Sequence, residues 1–175
     1  MVNAICQEIK LQKKYLQDKN LSTIYFGGGT PSLLEEKDLA TLVELCQNHA
    51  EYEQATYKSI GKEKQLKNAI FSQNPKLYCY VIESGTELAG YFSFTFDFST
   101  WDAQTFLYLD CLYLEPNFRG LKIGEQVFEK LKHIGQKNNC VNIQWQTPTF
   151  NERAIKFYNK IGATGKDKRR FFIDL

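Results

Sequence analysis

The sequence predicts an α/β domain in which helices cover both faces of a mixed β-sheet. Amphipathic helical stretches alternate with short runs of aromatic and β-branched residues, a pattern typical of helices packed on a sheet. One strand leads through a Gly- and Lys-bearing turn directly into a helix, as in a crossover between parallel strands. The chain has 175 residues, of which 43% are hydrophobic, so it is long enough for one domain with a sizeable core.

The N-terminal part of the chain is expected to be mainly helical. Apolar positions in residues 2–18 recur at helical spacing, which predicts an amphipathic helix, and Thr23–Phe26 is a candidate for a short strand. A helix is predicted over Glu35–Tyr57, with Ser32 as its N-terminal cap. A further helix is predicted over Lys62–Phe71.

The middle of the chain carries the main sheet-forming segments. Leu77–Glu83 and Glu87–Phe96 are rich in aromatic and β-branched residues, and Ser84–Thr86 between them predicts a hairpin turn. A third strand is predicted over Phe106–Leu114. The helix that follows it is expected to span Gly124–Lys137, since its apolar residues recur every three or four positions.

The C-terminal part is predicted to add a strand, a helix and a last strand. These segments are Val141–Gln146, Asn151–Ile161 and Arg170–Asp174. The predicted order is therefore β-α-α-β-β-β-α-β-α-β, with an extra N-terminal helix. The basic run at residues 166–170, KDKRR, is interpreted as a solvated hairpin in preference to a binding patch.

Charge, hydropathy and cysteine content argue against several classes of protein. The formal net charge is +2, too small to indicate a nucleic acid or an anionic membrane as partner. No apolar run reaches the roughly 20 residues of a membrane-spanning helix, and no signal-peptide pattern is present, so we expect a cytoplasmic protein. The five cysteines are odd in number and widely spaced, so we expect no disulfide framework, metal site or iron–sulfur cluster.

The most informative stretch is Leu107–Gly124, LYLDCLYLEPNFRGLKIG. A strand there leads to a helix start, where free N–H groups and the helix dipole favour a phosphate. Together with Asn151–Ala163, NERAIKFYNKIGA, this stretch resembles the GNAT family of N-acetyltransferases. The resemblance extends from Asp38 to the C-terminus and implies transfer of an acetyl group from acetyl-CoA to an amine.

The resemblance also implies an acetyl-CoA site along this strand, turn and helix. Lys122 stands where the family's phosphate motif has glycine, whereas Gly120 and Gly124 supply the small residues that backbone contact with a pyrophosphate requires. Asn151 is suited both to contact with the pantetheine arm and to capping a helix. The implied cofactor-binding residues are Leu112, Tyr113, Leu114, Arg119, Gly120, Leu121, Lys122, Ile123, Gly124, Asn151, Ala154 and Phe157.

Aminolysis of a thioester needs a base for the amine, a donor to the oxyanion and an acid for the leaving thiolate. The resemblance places Tyr158 near the sulfur as the acid; packing of its helix is the alternative. Asp110 lies in an apolar strand, where polyamine acetyltransferases carry a glutamate, and is the candidate base, with structural pairing as the alternative. The backbone N–H of Leu112 is the implied oxyanion donor. His49 is interpreted as a packed or surface residue.

The acceptor is expected to be a small cationic amine. Residues 49–57, HAEYEQATY, are similar to the polyamine and thialysine acetyltransferase group, where this segment borders the acceptor channel. Glu51 and Glu53 would attract a cation, and Tyr52 and Trp101 would contact it; a solvated helix face is the alternative for the two glutamates. A polyamine, diamine or amino-acid-like acceptor is expected, and a non-catalytic acyl-CoA-binding module is the alternative. The resemblance also implies a homodimer.

The first 35 residues resemble a different family. The segment AICQEIKLQKKYLQDKNLSTIYFGGGTPSLL is similar to radical-SAM proteins related to oxygen-independent coproporphyrinogen oxidase, in which Gly27–Pro31 would line the S-adenosylmethionine site. The three closely spaced cysteines that hold the cluster in that family are missing from this sequence. A scaffold role is therefore favoured over a live ligand site. The chain is divided into an appended segment, 1–35, and an acetyltransferase domain, 36–175.

Overall fold

The computed structural model describes residues 36–84 and 87–174. The predictions for the N-terminal helix, for Thr23–Phe26, for Gly27–Pro31 and for the cap Ser32 lie outside these residues and stay predictions. The described elements are α1 (Glu36–Tyr52), α2 (Lys62–Phe71), β1 (Tyr78–Ser84), β2 (Glu87–Ser99), β3 (Gln104–Leu114), a 3₁₀ turn (Pro116–Phe118), α3 (Ile123–Lys137), β4 (Ile143–Gln144) and α4 (Glu152–Lys160).

The strands form one mixed sheet in the order β1-β2-β3-β4. β1 pairs antiparallel with β2, and Ser84 lies opposite Glu87, which confirms the predicted hairpin. β2 pairs antiparallel with β3, whereas β4 is parallel to β3. The parallel pair flanks α3, the crossover helix that the strand–turn–helix pattern predicts.

Helices cover both faces of this sheet, and each face has its own core. This confirms the predicted α/β architecture. The core under α3 consists of Ile82, Ala89, Phe92, Phe94, Leu107, Leu109, Ile123, Val127, Phe128 and Leu131. The core under α1 and α2 consists of Leu39, Leu42, Leu45, Ile70, Cys79, Tyr91 and Tyr113.

A β-bulge in β3 changes which side chains face each core. In the pairing with β2, Ser93 lies opposite Cys111 and Phe94 lies opposite Leu109, so Asp110 is the extra residue. Odd-numbered residues of β3 therefore face α3 before the bulge, and even-numbered residues face it afterwards. The bulge places Asp110 on the α1 side of the sheet, at the edge of the core.

Helix α1 ends earlier than the predicted Tyr57. Its last residue is Tyr52, because Gln54 adopts a left-handed conformation with φ of 57°. The amide of Ala55 then donates to the carbonyl of Ala50 at 2.8 Å, which closes the helix end. Residues 53–57 therefore leave the helix, and the segment 49–57 is only partly helical.

Of the two strands predicted at the C-terminal end, one is shorter than predicted and the other is absent from the described residues. β4 spans only Ile143–Gln144, because the chain diverges from β3 after these residues. The predicted strand Arg170–Asp174 does not form, and the described residues 163–174 have no regular secondary structure. A strand needs a partner edge of several residues, and β4 is too short to provide one. The side chains of Phe171, Phe172 and Ile173 are consequently 85–88% exposed.

Candidate active site

A cavity of about 720 Å³ opens where β3 and β4 separate. The two strands pair only at Leu107–Ile143 and Tyr108–Gln144. Residues 109–114 of β3 form one wall beyond this point, and several residues between Trp145 and Asn151 form the opposite wall. The volume lies within the range of ligand sites, and the edge of β3 offers backbone groups to an extended ligand.

The N-terminus of α3 meets this cavity through a turn that carries two left-handed residues. Gly120 has φ of 86° and Lys122 has φ of 62°. Lys122 is the N-cap, and no described side chain caps the helix there. The amides that begin α3 lack intrahelical partners, and Lys122, Ile123 and Gly124 line the cavity. These residues fit a diphosphate, which needs free N–H groups and positive charge.

Gly124 is required by the packing of α3 against α4. A Cβ atom at this position would lie 2.9 Å from Cζ of Phe157, closer than real contacts allow. The ring of Phe157 also packs against Phe128, with centroids 5.9 Å apart. The missing side chain at Gly124 thus lets the two helices approach at the cavity wall.

The side chain of Arg119 connects β3 to α1 at the cavity wall. Its Nε donates to the carbonyl of Leu114 at 2.7 Å. Its guanidinium carbon lies 4.4 Å from the ring centroid of Tyr52 and 5.5 Å from that of Tyr113. The Nε hydrogen bond and the two rings fix the side chain, so its positive charge has a defined position on the cavity wall.

Tyr52 continues this connection to α4. Its hydroxyl donates to Oδ1 of Asn151 at 3.2 Å. The same Oδ1 accepts from the backbone N–H of Ala154 at 3.2 Å and caps α4. Asn151 therefore acts as a helix cap, and Tyr52 bridges α1 and α4 at the cavity.

Asp110 projects from the bulge and lines the cavity. Its Oδ2 accepts a hydrogen bond from Oγ of Ser93 at 3.2 Å. Ser93 is only 3% exposed, so its hydroxyl is held by the sheet and orients the carboxylate. An oriented, accessible carboxylate is suited to accepting a proton from a bound group.

Tyr158 lines the same cavity from α4. Burial raises the pKa of its phenol to about 12, with smaller contributions from Glu53 and Tyr52. Its ring contacts Trp145 and Phe128, at centroid distances of 5.2 and 5.8 Å. The side chain is therefore a protonated donor held in an aromatic wall.

The structure brings together most of the residues that the sequence singles out. The predicted residues that line the cavity are Tyr52, Glu53, Asp110, Leu112, Tyr113, Leu114, Arg119, Gly120, Lys122, Ile123, Gly124, Asn151, Ala154, Phe157 and Tyr158. Three others are not among its lining residues. Leu121 is 52% exposed, Trp101 is 96% exposed in the turn after β2, and Glu51 accepts a hydrogen bond from Gln47 at 3.1 Å.

Several lining residues were missed by the sequence analysis. They are mainly polar or charged and come from α1, β3, α4 and the C-terminal segment: His49, Tyr108, Arg153, Lys160, Lys168 and Arg170. Lys168 and Arg170 belong to the basic run that was interpreted as a solvated hairpin. His49 had one available signal, since a histidine and a glutamate four residues apart share a helix face.

Comparison with known proteins decides the family. Residues 42–163, more than half of the chain, match the model of the "Acetyltransferase (GNAT) family". The chain belongs to the GNAT family. It is accordingly an acetyl-CoA-dependent N-acetyltransferase.

Curated proteins similar to this chain include acetyltransferases with named acceptors. The chain is 26% identical over 137 residues to the thialysine N-epsilon-acetyltransferase of Sus scrofa, covering 74% of this chain and 80% of that protein. It is 25% identical over 120 residues to the Caenorhabditis elegans enzyme of the same name, covering 69% and 73% of the two chains.

Solved structures share the GNAT fold at low sequence identity. A possible acetyltransferase from Clostridium difficile has a TM-score of 0.67 at 20% identity, covering 81% of this chain and 94% of the other. An aminoglycoside acetyltransferase from an uncultured soil metagenomic sample has a TM-score of 0.65 at 16% identity, covering 81% and 92%. Within the described part of this chain, no helix is long and apolar enough to cross a membrane.

Proposed function

We propose that this GNAT enzyme acetylates a primary amine of a small cationic substrate such as a polyamine, a diamine or an amino-acid-like compound. The observation that carries the proposal is that Asp110, Glu53 and Tyr158 line one cavity. Six lysine and arginine residues also line the cavity and suit an anionic diphosphate, whereas the carboxylates of Asp110 and Glu53 favour a cationic acceptor. The similarity to thialysine N-epsilon-acetyltransferases supports an acceptor of this class.

The start of α3 and the edge of β3 are the proposed acetyl-CoA site. Acetyl-CoA supplies the thioester from which the acetyl group is transferred. The free amides at Ile123 and Gly124, with the charges of Lys122 and Arg119, bind a diphosphate. The backbone of residues 109–114, which β4 leaves unpaired, binds the amide-bearing arm.

The proposed chemistry assigns one task to each group at the bulge and on α4. Asp110 accepts the proton of the attacking amine, directly or through a water molecule. The amide of Leu112, two residues after Asp110, donates to the carbonyl oxygen as negative charge develops there. Tyr158 donates its proton to the leaving sulfur, which its raised pKa permits throughout the physiological pH range.

A turnover screen tests this function. Purified enzyme is incubated with acetyl-CoA and a panel of diamines, polyamines, amino acids and neutral amines, and free thiol and acetylated product are measured. We expect turnover with cationic amines and a loss of about 100-fold in kcat/KM for Asp110→Asn. Asp97→Asn is the matched control, since Asp97 pairs with Thr95 within β2. Absence of product with every amine would remove the proposal.

The two neighbouring glutamates offer a sharper test of the acceptor class. Glu53 lines the cavity, whereas Glu51 contacts Gln47 on the exposed side of α1. We expect Glu53→Gln to raise KM for a diamine about tenfold and Glu51→Gln to leave it unchanged, because a charge-assisted hydrogen bond is lost in the first case alone. Equal effects of the two variants would argue against a specific acceptor site at Glu53.

We also propose that the enzyme acts as a homodimer in the cytoplasm. Phe171, Phe172 and Ile173 are 85–88% exposed and contiguous, which is typical of an interaction surface. The cysteines of the described residues are free thiols, as expected for a reducing compartment. Sedimentation velocity should give a dimer for the intact protein and a monomer for Phe171→Ser/Phe172→Ser. A wild-type monomer would contradict the proposal.

A further inference from the structure

The imidazole of His49 is fixed between two tyrosine rings at the cavity wall. It stacks on Tyr113 with centroids 5.3 Å apart and an interplanar angle of 29°. It meets the ring of Tyr91 edge-on, with centroids 6.0 Å apart. Its side chain is only 13% exposed, yet it lines the cavity together with Asp110 and Tyr158. The ring is therefore oriented by packing, and each of its nitrogens has a defined direction.

Nδ1 of His49 faces a hydroxyl that retains its proton. The distance from Nδ1 to the hydroxyl oxygen of Tyr91 is 3.1 Å. Tyr91 is 3% exposed, and this burial strongly raises the pKa of its phenol. The hydroxyl also contacts the thiols of Cys46 and Cys111, but thiols are weak acceptors and an imidazole nitrogen is a strong one. The better acceptor favours a Tyr91 hydroxyl that donates to Nδ1.

The other nitrogen of the ring points to the acceptor side of the cavity. A neutral imidazole carries one proton, so a ring that accepts at Nδ1 carries it on Nε2. Nε2 lies 3.5 Å from Oε1 of Glu53, the residue directly after the last residue of α1. Glu53 also lies close enough to Tyr158 to raise the pKa of that phenol. The contacts form a chain from the buried core to the carboxylate.

We propose that His49 is a positioning residue that directs the carboxylate of Glu53 to the cationic end of the acceptor, with Tyr91 fixing the Nε2–H tautomer. The inference rests on the proposed function for its acceptor. The contact of Nε2 with one carboxylate oxygen, at 3.5 Å, leaves the other oxygen for the substrate ammonium. Reduced rotamer freedom of Glu53 lowers the entropy cost of binding a flexible amine.

The tautomer is measurable without any turnover. The chain has two histidines, His49 and His133, so ¹⁵N imidazole spectra of His133→Gln report on His49 alone. We expect an unprotonated Nδ1 and a protonated Nε2 at a pH where the ring is neutral. We expect Tyr91→Phe to give a mixture of tautomers. A protonated Nδ1 in the protein with Tyr91 intact would overturn the proposal.

Kinetics separate positioning from a general effect on the fold. We expect His49→Ala to raise KM for a diamine up to about tenfold, because the Glu53 carboxylate loses a polar neighbour that holds its position, with kcat and the Kd of acetyl-CoA unchanged. His49→Gln, which retains a donor, should recover part of the loss. The double variant His49→Ala/Glu53→Gln should be no worse than Glu53→Gln alone. His133→Ala, on the exposed face of α3, is the control.

The outcomes distinguish this proposal from the function on which it rests. Additive effects of the two substitutions, or a loss confined to kcat, would overturn the positioning role while leaving the proposed acetylation intact. Failure of the wild-type enzyme to acetylate any cationic amine would remove the proposed function and this role with it. Thermal unfolding of each variant identifies any that do not fold, in which case His49→Gln and the tautomer spectra decide.

Discussion

The buried position of Tyr158 keeps its phenol protonated, as a proton donor requires. Burial, aided by Glu53 and Tyr52, raises the pKa of the phenol to about 12. An acid acts in its protonated form, so the raised pKa extends this form to higher pH. We expect Tyr158→Phe to lower kcat about 100-fold, with little change in the Kd of acetyl-CoA.

The pH profile gives an independent measurement of the same residue. Ionisation of Tyr158 should not reduce kcat of the wild-type enzyme up to about pH 11, one unit below the raised pKa. Tyr78→Phe is the control, because Tyr78 lies on β1 outside the cavity lining and stacks on Phe94 at a centroid distance of 5.3 Å. An unchanged kcat in Tyr158→Phe would exclude the acid role.

Lys122 retains a backbone conformation that suits glycine. Its φ of 62° places a side chain in the left-handed region, which costs roughly 1–2 kcal/mol for residues other than glycine. A glycine at this position avoids that cost. We therefore expect Lys122→Gly to raise the free energy of unfolding by about 0.5–1 kcal/mol, the relief of strain less the extra freedom of the unfolded chain.

Urea denaturation measures this change. Lys156→Gly is the matched control, because Lys156 lies within helix α4, where glycine should lower the unfolding free energy by about 1 kcal/mol. A lower midpoint for Lys122→Gly than for the wild type would contradict strain at the turn.

At the scale of elements, α3 and α4 depend on their contact at Gly124. Because a Cβ there would lie 2.9 Å from Cζ of Phe157, Gly124→Ala should displace the ring and cost about 1–3 kcal/mol of stability. The displaced ring should also weaken binding of acetyl-CoA at the start of α3. Gly165→Ala is the control, since a Cβ at Gly165 meets no atom within 4 Å. Urea denaturation and calorimetry measure the two effects, and equal results for the two variants would exclude tight packing at Gly124.

Some elements follow from periodicity, whereas others depend on contacts that the sequence does not encode locally. The apolar pattern of α3 predicts its C-terminal bound at Lys137 and places its start within one residue. The run Val141–Gln146 alternates apolar and polar residues as a strand does, but its paired length is set by the divergence of the chain from β3. The end of α1 is set by the left-handed Gln54, and glutamine is an uncommon residue for that conformation.

In the candidate site, too, some residues were predicted from the sequence and others were not. The turn from Arg119 to Gly124 was predicted from its residue types, because phosphate contact requires small residues before a helix. Glu51 and Glu53 were grouped because both lie in the segment 49–57 that resembles the border of an acceptor channel, but Glu51 lies on the exposed side of α1 and only Glu53 lines the cavity. The four-residue spacing of His49 and Glu53 carried the missing information, since both residues line the cavity.

At the scale of the whole molecule, several thiols and phenols with weakly acidic protons lie in or beside the core under α1 and α2. Burial is the main cause that raises the pKa of the thiols Cys46, Cys79 and Cys111, the last to about 12. It also raises the pKa of Tyr91 strongly and that of Tyr57 to about 12. Each of these groups retains its proton in the folded protein at a pH where the unfolded chain has begun to lose it.

Stability should therefore fall as the pH rises above about 9, the ordinary pKa of a thiol. Below that value both states hold the protons, and above it the unfolded state binds fewer, so the unfolding free energy decreases. Each group contributes a slope of up to about 1.4 kcal/mol per pH unit until its folded pKa is reached. Urea midpoints between about pH 8 and pH 10.5 measure this decline. Cys79→Ala should have a lower urea midpoint at pH 8, and its midpoint should decline less steeply with pH because one buried thiol proton has been removed. A wild-type midpoint that does not change with pH would show that these thiols and phenols are accessible to water.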